Sequence, residues 1–156
     1  MENAKDQLFI IPLERELDEV ESGKISTLLN EFLEKWNAHG NPLSANVTLE
    51  ESRFLIIRNP DGQASGCSKD KLFREIDLVC SRIGVQQDVA GKFYVRCNGV
   101  IAGMGRKEFF QKQETTDIRP DDLIFPTWIS DSFEFSKSWK KPLHFFPNLQ
   151  LKKDLV

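Results

Sequence analysis

A chain of 156 residues with 40% hydrophobic content is long enough for one ordinary domain with a buried core. A net charge of −3 leaves no excess of Lys and Arg for a nucleic-acid or acidic-membrane surface, so neither partner is expected. Cys67, Cys80 and Cys97 are odd in number, widely spaced and without companions at zinc spacing, so they read as reduced thiols with no disulfide framework, no metal site and no implied cofactor.

The N-terminal heptapeptide Met1 to Gln7 is polar, and the apolar run behind it, Leu8 to Leu13, stops at Glu14, too short for a signal peptide or a spanning helix. A cytoplasmic protein is expected. Leu8-Phe9-Ile10-Ile11 predicts a strand buried on both faces. Ile25, Leu28, Leu29, Phe32, Leu33 and Trp36 then recur at helical spacing, with Asp18 or Ser22 as the cap and Gly40 placed to end the helix. From Leu43 to Glu50 apolar and polar residues alternate as in a strand with one wet face. Glu51-Ser52 links it tightly to Phe54-Leu55-Ile56-Ile57, a central strand, and Asn59-Pro60-Asp61-Gly62 is a turn. The stretch Ala64 to Asp70 leads into a second helix that ends near Gly84, with Leu72, Phe73, Ile76, Val79, Cys80 and Ile83 on its apolar side. Lys92 to Cys97 is the next strand, and Asn98-Gly99 signals a hairpin into Val100-Ile101-Ala102.

Strand, helix, strand, strand, helix, strand is the order of a split βαβ, so the expectation is an α+β, ferredoxin-like antiparallel sheet. The two runs that are apolar on both faces fall where that topology has its central strands. One domain is expected, with residues 1–104 as the core. Residues 105–156 form an aromatic-rich extension: a short helix over Arg106 to Gln113, a turn at Arg119 to Asp122, and Trp128, Phe133, Phe135, Trp139, Phe145 and Phe146 packed across the sheet. An uncovered sheet face would instead favour a homodimer. The run Gly99 to Lys107 lacks both Walker and dinucleotide spacing and reads as a flexible turn. Lys137, Lys140, Lys141, Lys152 and Lys153 read as a solvated face, and His144 as packing or surface.

The routing of such a fold brings the loop Asn37 to Pro42 and the loop Ser65 to Ser68 to one end of the molecule. Cys67 at a helix start beside His39 is the minimum of a thiol nucleophile: the imidazole takes the proton, and the dipole favours the thiolate. Asn41 or Asp70 would orient the ring. The bland reading has Cys67 in a tight loop with Ser65 or Ser68 as the cap, His39 favoured near a helix end by the dipole, and Cys80 and Cys97 inert in the core. A third reading is a ligand or anion held by the backbone amides from Ser65 to Asp70, those of Ser65, Gly66, Ser68 and Asp70 foremost, together with Asn41, and with Arg53, Arg58 or Lys69 nearby.

Trp36-Asn37-Ala38-His39-Gly40-Asn41-Pro42-Leu43-Ser44-Ala45, Arg53-Phe54-Leu55-Ile56 and Ala64-Ser65-Gly66-Cys67-Ser68-Lys69-Asp70 resemble the pattern of a family of small bacterial proteins of unknown function. Its members often carry an ABC transporter ATPase label. The resemblance covers the first half of the chain well and brings no activity or catalytic residue. The label has no physical basis in this sequence, which lacks a Walker A loop and is too short for a nucleotide-binding domain. The sequence therefore favours a binding or interaction module for a small molecule or protein at the His39/Cys67 end, with a thiol-dependent enzyme as the alternative.

Overall fold

The apolar run after the N-terminus forms β1 (Gln7–Pro12), which pairs antiparallel with β5 (Phe54–Asn59), and β5 in turn with β4 (Asn46–Glu50). These coordinates are a computed structural model that describes residues 6–60 and 64–152. Asp61 and Gly62 of the expected turn, residues 1–5 and Lys153 lie outside the described residues. The chain divides into two compact units, one of residues 6–88 with 128–135, the other of 89–127 with 136–152.

In the first unit, alternation along the strands decides which side chains meet the helices. Ile11, Val47, Leu55 and Ile57 join one core with Ile25, Leu29 and Leu33 of α1 (Glu19–Glu34) and Leu72, Ile76 and Val79 of α2 (Gly66–Ile83). Each such fully buried aliphatic side chain contributes about 2 kcal/mol. Leu8, Ile10, Phe54 and Ile56, on the alternate positions, are buried as well, as a run apolar on both faces requires.

Asp18 caps α1 through a reciprocal box: its carboxylate accepts the Glu21 N–H at 2.8 Å, and the Glu21 carboxylate accepts the Asp18 N–H at 3.0 Å. Arg15 grips the same Glu21 at 2.8 Å, and this bond, with the one from the Asp18 backbone, lowers the Glu21 carboxyl to about 2. Gly84, at φ 84°, ends α2 in the left-handed conformation that glycine adopts without cost.

Two expectations change here. Helix α1 stops at Glu34 with Lys35 as its C-cap, so Gly40 does not end it. Trp36 is drawn into the core, 2% exposed, and the chain then makes a hairpin of β2 (Asn37–Ala38) and β3 (Asn41–Pro42). His39 (φ 51°) and Gly40 (φ 82°) form its tip, the pair of left-handed residues that a two-residue hairpin turn demands. The second change concerns the expected fourth strand, Lys92 to Cys97, which in a ferredoxin-like order would flank β1. The place beside β1 holds one bridge, Leu13 to Gln87, with the Asp88 N–H donating to Pro12 C=O at 2.9 Å, and further along the Leu8 N–H donates to Ser130 C=O at 3.0 Å. The 92–97 segment pairs elsewhere.

That segment is β6 (Phe93–Cys97), the centre of the second unit's antiparallel sheet. It pairs with β7 (Val100–Met104) on one side and β8 (Leu123–Ile124) on the other, and β8 pairs with β9 (Lys141–Pro142). The run expected as a flexible turn is thus strand β7, followed by α3 (Arg106–Glu114). Asn98 and Gly99, both at positive φ, make the β6–β7 hairpin as their sequence indicates. Phe109 of α3 stacks on Phe93 at 4.7 Å over a core of Val95, Met104, Ile118, Ile124 and Leu143.

The aromatic tail is not one continuous cover. Phe125 and Trp139 meet edge-to-face at 5.5 Å and are buried. Within the first unit Arg58 lies 4.9 Å over the Phe135 ring, whereas Phe133 of α4 (Ser132–Ser138) is 77% exposed. Asp131 caps this short helix, accepting the Glu134 N–H at 2.8 Å.

Candidate functional site

The end of α1 and the start of α2 do come together. The Trp36 indole N–H donates to the Ser68 carbonyl at 2.8 Å, and Ala38 of the hairpin is buried in the same core as α2. His39 stands exposed at the hairpin tip and Cys67 exposed in the first turn of α2. Among the described residues the imidazole and the thiol are not hydrogen-bonded to each other or to any other group. Asn41 and Asp70 are exposed and make no side-chain hydrogen bond there either.

The helix start is already committed to itself. Ser65 Oγ accepts the Ser68 N–H, Ser68 Oγ accepts the Ser65 N–H, both at 3.2 Å, and the two hydroxyls meet at 2.6 Å. This closed capping box leaves the Gly66 and Cys67 amides as the outward-facing donors. Of the three cations expected to assist an anion, Lys69 lies in the first turn of α2, and the other two are engaged elsewhere. Arg53, 9% exposed, donates from Nε to Leu13 C=O at 3.0 Å and lies 3.8 Å from Asp88. It sits at the start of β5, about 20 Å along the strand from the end that leads to α2. Arg58 donates to Thr48 Oγ at 2.8 Å.

A concave site lies instead in the second unit. A cleft of about 350 Å³ is lined by Cys97, Val100, Ala102 and Met104 on the hairpin side and by Lys112, Thr116, Asp117, Arg119 and Asp122 opposite. Val100, Ala102 and Met104 lie at every second position of β7 and so give the cleft an apolar floor. The polar wall follows from sheet register. Because Arg96 pairs with Leu123, the residue before Leu123 falls beside the residue after Arg96, which sets Asp122 against Cys97.

The loop between α3 and β8 is held by its own bonds. Thr116 takes a left-handed φ of 62°, Ile118 N–H returns to Lys112 C=O at 3.0 Å, and Ile118 plugs the core. Arg119 N–H donates to the Asp122 carboxylate at 2.8 Å and Asp122 N–H to Arg119 C=O at 3.1 Å.

Cys97 is half-buried here and packs against the margin of the second unit's core. Burial first, then the charge of Asp122 and a hydrogen bond to it, push its thiol pKa up, with Lys112 opposing. The group stays a protonated donor at neutral pH. Cys80, by contrast, is core as expected: burial and Asp77 push it to about 11. His144, far in sequence from most acids, places Nε2 3.5 Å from the adjacent turn's Asp121. Among the described residues no group of three His, Cys, Asp or Glu side chains comes together as metal ligands.

The sequence reading passed over this cleft although each of its parts was legible: the Asn-Gly hairpin, the alternating floor and the Arg119 to Asp122 turn. Only the β6–β8 register, a long-range pairing, joins them. No family model, curated protein or solved structure matches the chain.

Proposed function

We propose that this protein is a binding module whose second unit takes a small molecule in the cleft between Cys97 and Asp122. The observation that carries the reading is the cleft itself: an apolar floor, charged groups converging on one volume, and a thiol whose ionisation is suppressed by burial and then by Asp122, the combination that marks ligand sites. Architecture supports a module with a separate scaffold. The first unit reads as an abbreviated ferredoxin-like core whose fourth strand is reduced to the Leu13–Gln87 bridge. The net charge favours a small molecule over nucleic acid as the partner.

A thermal-shift screen of small organic acids, amines and alcohols on the full chain tests this. Hits should raise the melting temperature of the wild type and lose that effect in Val100→Trp, which fills the cleft from a largely exposed position. Hits that survive the substitution would place the ligand elsewhere.

The Trp36–Ser68 bond favours a second reading, a thiol site at the His39/Cys67 end. Under it, iodoacetamide modifies native Cys67 rapidly at neutral pH, and His39→Ala slows the reaction. Equal rates in the two proteins would remove the imidazole from any role.

A further inference from the structure

The charged groups around the cleft differ in what they still have to offer. Asp117 already accepts the Thr115 hydroxyl at 2.8 Å. Asp122 accepts the Arg119 N–H at 2.8 Å and lies against Cys97 across the strand pair. Lys112 leans to Glu108, one turn away on α3, at 3.4 Å. The guanidinium of Arg119 is exposed and has no partner among the described residues. Five N–H donors in a rigid plane are therefore left over at the rim of an apolar floor, while each acid there already accepts one donor of the same chain.

From this, and resting on the cleft reading above, we infer that the ligand is an amphiphilic monocarboxylate, its hydrocarbon body on Val100, Ala102 and Met104 and its carboxylate paired with the Arg119 guanidinium. The planar fork matches a carboxylate with two parallel hydrogen bonds. Asp117 and Asp122 line the same cleft, so a dianion such as a phosphate monoester is repelled more strongly than a monoanion. A free amine would share the cleft with the Lys112 ammonium and the Arg119 guanidinium, two like charges. A ligand with no apolar body would leave the floor wet.

The test titrates the full chain with hexanoate, hexan-1-ol, hexylamine and acetate and follows the backbone amides of Cys97, Ala102 and Thr116 by two-dimensional NMR. Hexanoate should shift all three saturably and bind about tenfold more tightly than hexan-1-ol, the factor expected of one charge-assisted pair. Arg119→Gln should lower hexanoate affinity by about the same factor and leave hexan-1-ol unchanged, because only the backbone of Arg119 holds the turn. Arg119→Lys should recover part of the loss. If hexan-1-ol or hexylamine shifts the cleft amides as strongly as hexanoate, or if Arg119→Gln binds hexanoate as well as the wild type, the carboxylate assignment is overturned while the cleft stands as a binding site. If none of the four probes shifts these amides, the cleft reading falls with it.

Discussion

Cys67 and Cys97 carry the same group in opposite settings. Cys67 is exposed at a helix start with no hydrogen-bond partner among the described residues, whereas Cys97 is half-buried beside Asp122 and held in its neutral form. Cys80 gives the third case, and its consequence is a pH dependence. In the unfolded chain this thiol ionises near 9.0, but in the fold only near about 11. Between those values the unfolded state has lost a proton that the folded state retains, so stability is intact below pH 9 and falls as pH rises towards 11. Chemical denaturation across this range should show the decline. Cys80→Ala should flatten it while lowering stability at neutral pH through the small cavity it leaves.

Elements whose ends are written in local chemistry were readable. Asp18 capped α1 and Ser65 with Gly84 bounded α2 as their residue types indicate, because capping and left-handed termini depend on neighbours within a few positions. Gly40 misled for the same reason: a left-handed glycine serves a hairpin tip as well as a helix end, and Trp36, bonded to Ser68, decides between them from across the unit. The sheet to which 92–97 belongs was not readable, since strand partnership is a long-range matter and this strand would pattern the same way in either sheet. The cleft inherited that illegibility, because its charged wall exists only where β8 takes its register on β6. Gly103 marks how closely these strands fit. A Cβ there would lie 2.6 Å from the ring of Tyr94, which is 1% exposed and has little room to yield. Gly103→Ala should destabilise the protein by about 1–3 kcal/mol in urea unfolding. A loss near zero would show that the ring moves aside without cost.

At the scale of the whole molecule, two units each carry an apolar core, and the second also carries a charged cleft. Among the described residues no helix is long and apolar enough to cross a membrane. The first unit supplies helices with well-made caps and a closed hydrogen-bond box at the start of α2, features that stabilise by about 1 kcal/mol each and need no ligand to explain them. The second unit ends one wall of its cleft in an exposed guanidinium that nothing in the described chain satisfies. Amide-shift mapping of the full chain against a mixture of small organic acids tests this division most directly. The account predicts shifts clustered at residues 97–104 and 112–122, absent from Val100→Trp. Shifts clustered at His39 and Gly66 to Asp70 would contradict it and return the site to the first unit.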